Sequence, residues 1–388
     1  MPSFHRRTGV AELPLHGGRA PRWLFHRMAS LGRGIMDVLL DEFGSQEILN
    51  RIADPYWFQA LSCVLGYDWH SSGTTTVTCA ALKEALQPTE HGVAVAGGKG
   101  TASRKTPEEL QTLGSVFRWS ERQITTLTTA SRMSAKVDTT AIQAGYPLYH
   151  HAFFVDHAAN WVVIQQGINS EDRTARRYHW LSTHVHSFIQ EPHDAIVGAP
   201  VNRAVLDMTA QQSERSQQIA VDLVNDNPAH LRHSITALQL HDQTTLHRWI
   251  NREDILVPPR LHAFTMPKRI NWTALRHAYE IHPQNYEEFL GLPGIGPATV
   301  RGLALVSELI YGEAPSWRDP VKYSFAYGGK DGVPFPVDRH AMDASIQFLH
   351  NALDRVKGHD RSKLHAFQRL RSLNRDTMTP AASIHHVQ

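Results

Sequence analysis

The sequence predicts an α+β fold: an N-terminal mixed portion with a β-hairpin and small sheet, then a mainly α-helical portion. Two observations carry that prediction. The runs LYHHAFFV (148–155) and WVVIQQGI (161–168) are rich in aromatic and β-branched residues and are separated by a short polar stretch, DHAAN. Elsewhere apolar residues recur at helical spacing, with glycines where each stretch stops. At 388 residues, 41% hydrophobic and 20% charged, the chain has room for more than one core and is ordinary for a globular protein. A net charge of +2 means that any nucleic-acid surface has to be local.

The elements follow in order. A polar arm, RRTGVAELPLHGGRAPRW, leads into WLFHRMASLGRGIMDVLLDEFG, a helix ending at Gly44. PYWFQALSCVL is a second helix, stopped at Gly66, since glycine readily takes the left-handed C′ conformation. YDWHSSG is a polar turn, and TTTVTCAALKEAL a third helix with hydroxyl caps available. GVAVA (92–96) reads as a short buried strand and GGKGTASRK as a flexible loop. Thr106 and Glu109 have capping-box spacing, with Pro107 at the first helical position. From 204 to 250 the text is polar and helical, and VPPR (257–260) looks like a hinge. The expected division is 1–203, an α+β part carrying the candidate catalytic residues; 204–260, a helical connector; 261–373, a helical DNA-binding domain; and 374–388, a loose tail. Cys63 and Cys79 lie in apolar surroundings and fit no zinc spacing, which predicts reduced thiols in a cytoplasmic protein. MPSFHRRTGV lacks a secretory apolar region, and no later run is long enough to span a bilayer.

FLGLPGIGPATVRGLALVSELI (289–310) places Gly294-Ile295-Gly296 between two helical stretches, with Pro297 opening the second. A helix N-terminus offers unpaired N–H groups and a positive dipole end, and the glycines let a phosphate approach them. Leu292 and Ile295 are expected beneath the turn, with Thr299 and Arg301 in the DNA-facing set. The stretch resembles the helix-hairpin-helix motif of DNA-binding and repair proteins, which implies sequence-independent binding of a DNA backbone. FPVDRHAMDASIQFL (335–349) downstream adds a likeness to the helix-hairpin-helix DNA glycosylase superfamily, where an Asp in this context supports base removal. Asp338 would take that role; equally, it caps the helix that follows. Ala298 stands where lyase members carry lysine, no four-cysteine cluster follows, and PSWRDPVKYSFAYGGKDGVP lengthens the gap. The chain as a whole also resembles a prokaryotic family of unknown function with an RTGxAELPLHGG-type opening and this same hairpin. That resemblance implies association with DNA and no settled reaction.

Chemistry has to be read from the residues. If DHAAN is a five-residue loop, His151 faces Gln165 on one side of the ribbon and His150 faces Gln166 on the other, both away from the turn. Such residues serve as ligands or acid–base groups, with Gln165 and Gln166 orienting substrate, or else form a satisfied hydrogen-bond layer. Asp138 precedes the ribbon, and Asp68 shares a polar turn with His70. Asp68, Asp138 and His151 make a candidate site for Mg²⁺ or Mn²⁺, which would polarise a phosphoryl oxygen and activate water. As turn and cap residues, the two aspartates need no metal. GGKGTASRK offers Lys99, Arg104 and Lys105 but misses the P-loop pattern, so ATP is not expected. ARRYHWLS interleaves Arg176 and Arg177 with Tyr178, His179 and Trp180, suiting a phosphate backbone and stacked bases, or a core strand with a charged face. The leading expectation is a metal-dependent DNA nuclease. A glycosylase using Asp338 and a non-catalytic DNA-binding adaptor are the alternatives. The adaptor is favoured if the His/Gln groups are hydrogen-bonded and closed to solvent.

Overall fold

A computed structural model of the chain describes residues 13, 20–66, 72–201, 203–250, 265–321, 347 and 351, with side chains of the 228–250 helix described through 239. Asp68, His70, Asp338, VPPR and the tail lie outside the described residues. Among the described residues the chain mixes helix with a small five-stranded antiparallel sheet and a two-stranded one, the coarse mixed architecture that the sequence predicts.

Four helices come first: α1 (Arg22–Phe43), α2 (Ser45–Ala53), α3 (Pro55–Leu65) and α4 (Gly73–Ala85), with the short α5 (Pro88–His91) after them. Gly44 and Gly66 end α1 and α3 as expected, and Asp54 caps α3 by accepting from the amides of Tyr56 and Trp57. Strand β1 (Val93–Lys99) is longer than GVAVA and runs through Gly97 and Gly98. The expected flexible loop is instead this strand end followed by α6 (Thr101–Arg104). Next come α7 (Thr106–Phe117) and α8 (Glu121–Lys136). The capping box at Thr106 does not form. Thr106 donates to Ser103 O, and the Glu109 carboxylate accepts from Gly97 N at 2.9 Å and Lys83 Nζ at 2.6 Å. A buried strand amide and a lysine outcompete the local cap. The box is at Ser120/Gln123, where it starts α8.

A π turn, Val137–Ala141, continues α8 into β2 (Ile142–Gln143). Strands β3 (Leu148–Asp156), β4 (Trp161–Asn169), β5 (Thr174–Leu181) and β6 (Ala195–Val197) complete a five-stranded antiparallel sheet in the order β1-β3-β4-β5-β6. The register derived for the hairpin holds: Val155 faces Trp161, Phe153 faces Val163, His151 faces Gln165 and His150 faces Gln166. Strand β7 (Leu206–Asp207) pairs with β2. Helices α9 (Glu214–Asn225), α10 (Pro228–Ile250), α11 (Trp272–Ile281), α12 (Tyr286–Gly291) and α13 (Pro297–Tyr311) follow.

Both faces of the sheet are covered. Ala152, Phe154, Val162, Ile164 and Leu181 point into a core shared with α1 to α4. Phe153, Val155, Val163, Tyr178 and Trp180 point into a second core that also holds Ile295, Val300 and Leu303 of the C-terminal helices. Double coverage forces the polar ends of the strands indoors, which fixes what the candidate site can be.

The left-handed turn of β1 is a sensitive point. Gly97 has φ +84°, and a Cβ there would lie 2.3 Å from His151 O and 2.4 Å from Thr106 Oγ1. Gly97→Ala is expected to cost about 2–4 kcal/mol in urea denaturation; a loss below about 0.5 kcal/mol would contradict this packing.

Candidate functional site

The two His/Gln pairs, expected at one end of the ribbon on its two sides, do lie there on opposite faces, and they join separate networks. Alternation along a strand sends adjacent residues to opposite sides.

On the C-terminal side, Asp138 is the hub. The π turn after α8 aims its carboxylate inward, where it is 1% exposed. Gln165 Nε2 donates to Oδ2 at 2.6 Å, Trp180 Nε1 to Oδ2 at 3.1 Å, and His193 Nε2 meets Oδ1 at 2.5 Å. Gln165 Oε1 can only accept, so His151 donates to it from Nδ1 at 3.0 Å. The other nitrogen, Nε2, is then the acceptor for the Ser131 hydroxyl at 3.0 Å. Burial pushes the Asp138 pKa up, while His193 and Trp180 pull it down. Burial also lowers His151 to about 4, with the Gln165 bond raising it, so this imidazole is neutral near pH 7. The candidate ligands Asp138 and His151 are thus joined through Gln165. No cluster of three or more His, Cys, Asp or Glu suited to a metal occurs among the described residues.

On the N-terminal side, Gln166 donates to Ser72 O at 2.8 Å and Tyr149 Oη at 2.6 Å, and accepts from Thr75 Oγ1. Its β5 partner is Arg177, fully buried, with its guanidinium 4.6 Å from the Phe58 ring centre. Arg177 donates to Gln59 Oε1 at 3.3 Å and, from Nε, to His179 Nε2 at 2.9 Å. Burial lowers the Arg177 pKa to about 9 and holds His179 well below its ordinary value. His150 is 1% exposed, and neither ring nitrogen has a hydrogen-bond partner. Burial, aided by His151 and Lys99, lowers its pKa to about 3.

Arg176, on the opposite face of β5 from Arg177, binds Asp319 at 2.7 Å and Ala199 O at 3.1 Å and lies over Tyr146. The residues Arg176, Arg177, Tyr178 and His179, expected at a nucleic-acid surface, are therefore interior. Lys99, Arg104 and Lys105 are exposed around α6, with Lys99 Nζ 5.8 Å from the Tyr149 ring centre. Sequence reasoning missed His193 and Ser131. Neither lies near the ribbon in the chain, and no local pattern marks them.

The turn at 292–296 is different. It links α12 and α13, with Ile295 buried and Leu292 packed beneath it, as expected, while Pro293, Gly294 and Pro297 are exposed. Gly294 has φ +81°, and a Cβ there would press on Ala274 and Asn271 at 2.9 Å, so glycine is required. Side-chain donors hold its carbonyls: Asn271 Nδ2 on Gly294 O at 3.2 Å, Lys136 Nζ on Ile295 O, and Gln143 Nε2 on Pro297 O at 2.9 Å. Gly296 caps α13 with no side-chain cap bond, and Pro297 has no N–H. The amides of Gly294, Gly296, Ala298 and Thr299 are the donors left to the turn, although the Thr299 side chain, expected among the DNA-facing residues, is buried. Among the described residues, its chain neighbours aside, no atom lies within 4 Å of where a Gly296 Cβ would be. Lys136 and Arg301 flank the turn, Arg301 with its guanidinium 5.3 Å from the Trp317 ring centre.

A family model described as "Protein of unknown function (DUF763)" matches residues 9–337, and the chain belongs to that family. No curated protein and no solved structure matches it.

Two outcomes follow from the buried groups. Removing the Asp138 carboxylate leaves His193, Gln165 and Trp180 without their acceptor, so Asp138→Ala is expected to lower stability by about 3–5 kcal/mol in urea denaturation. His150 and His151 have folded pKa values below their unfolded one. Their contribution is therefore intact above about pH 6.5 and drains as pH falls toward 4, by about 1.4 kcal/mol per pH unit for each imidazole. His150→Leu removes two orphaned nitrogens; it should stabilise the protein by about 1 kcal/mol at pH 7.5 and shrink the loss between pH 6.5 and 5. Unfolding free energies at the three pH values check both signs.

Proposed function

We propose that the protein binds DNA by its phosphate backbone, through a helix-hairpin-helix made by α12, the turn and α13. The observation that carries this reading is the turn itself: its carbonyls are held by protein donors while the amides of Gly294, Gly296, Ala298 and Thr299 remain, at an open helix N-terminus between two cations. Backbone amides and a helix dipole favour a phosphate there and read no base. Arg132, exposed one helical turn before Lys136, lengthens the basic side of the contact.

The bonds around Asp138, His151 and Gln165, and those that Gln166 makes to Ser72, Tyr149 and Thr75 on the other face, favour a binding protein over a nuclease, because three of the four His/Gln side chains already have partners inside the fold and His150, the fourth, is closed to solvent. Metal-dependent cleavage would have to draw on Asp68 and His70, and base excision on Asp338, all outside the described residues.

Gly296→Val separates fold from function. Its φ of −127° suits any residue and no described residue beyond its chain neighbours occupies the space, so the variant should fold, yet its side chain would cover the amides. Anisotropy with labelled duplexes of unrelated sequence, at low salt, is expected to show binding weakened about tenfold on every duplex alike. Equal affinity for variant and wild type would discard the reading. The same mixtures incubated with Mg²⁺, Mn²⁺ or EDTA should show no metal-dependent cleavage; cleaved product would restore the nuclease.

A further inference from the structure

A cleft of about 500 Å³ opens beside the turn, lined among others by Gln143, Gly145, Asn169, Glu171, Arg203 and Arg301. It is physically continuous with the hairpin. Gln143 donates to Pro297 O and accepts from Arg301 Nη1 at 3.3 Å, so one carboxamide joins the N-terminus of α13 to the cleft wall. Across the cleft, Arg203 is exposed and steadied by a bond from Nη2 to Ala144 O at 3.0 Å. Gly145, at φ +84°, leaves room for that guanidinium: a Cβ there would lie 2.2 Å from Nη2. The Asn169 carboxamide is committed to the amides of Glu171 and Asp172 and to the Asp172 carboxylate, which shapes the rim and leaves the Glu171 side chain exposed.

Resting on the DNA-binding reading, we propose that this cleft is a second phosphate subsite, taking a neighbouring phosphodiester of the strand whose backbone sits on the turn, with Arg203 as its cation. A guanidinium anchored by one N–H keeps further donors for a phosphate oxygen. A volume of this size also admits the sugar and base attached to that phosphate. Glu171 opposes the anion and sets the limit on affinity. Two contacts on one strand fix its direction over the protein, which a single amide cradle does not.

The test is the salt dependence of DNA affinity for the full chain and its variants. Arg203→Ala should reduce the slope of log K against log salt by about 1, the signature of one lost phosphate contact, while Arg203→Lys keeps the slope. Glu171→Gln should tighten binding several-fold at low salt. Melting temperatures verify that each variant folds. An unchanged slope in Arg203→Ala, or no tightening in Glu171→Gln, overturns the subsite; if Gly296→Val still weakens binding, the hairpin reading stands. Absence of DNA binding by the wild type overturns both.

Discussion

The structure depends on one buried carboxylate. Helices cover both faces of a five-stranded sheet, so the polar residues at the strand ends have no water to turn to. Asp138 answers this on one side: it collects donors from β4, β5 and the segment before β6, and through Gln165 it orders the His151 ring and reaches Ser131 on α8. A half-satisfied network in such a place would be worse than an apolar core. The tautomer of His151 is dictated from the Asp138 end, because each bond in the chain has a single allowed direction.

The same logic ties the C-terminal helices to the sheet. Arg176 is buried in β5 but reaches Asp319, which also accepts the Val201 amide at 2.8 Å. Asp207 N donates to Ser316 O, and Val205 N to Trp317 O, so the segment after α13 runs along β7. Lys136, at the end of α8, bonds Ile295 O, which makes the turn a docked element. Docking by the carbonyl side matters: it orients the peptide units so that their N–H sides are the ones left over.

Much of this was legible in the chain. The ribbon register followed from a five-residue loop and strand alternation, and Pro297 after Gly296 marked the start of α13. Three features were not legible, for physical reasons. TARRYHWL looks like a charged surface because two adjacent arginines are rarely buried; only the distant partners Asp319 and Gln59 allow it in the interior. Thr106 and Glu109 have the spacing of a capping box, but Lys83 and the Gly97 amide, brought in by tertiary packing, claim the carboxylate. His193 meets Asp138 across 55 residues of sequence, and periodicity carries no information about such a pairing. Local patterns foretold elements, and the long-range polar bonds decided what those elements do.

The molecule divides its polar groups between those that the fold has consumed and the amides that it has left over. Titrating isotope-labelled protein with a short DNA duplex and following backbone amide resonances tests that division most directly. The largest shifts are predicted at Gly294, Gly296, Ala298 and Thr299, with the amides around Gln165 and His151 unmoved. Shifts concentrated on the sheet residues, with the turn silent, would contradict the account.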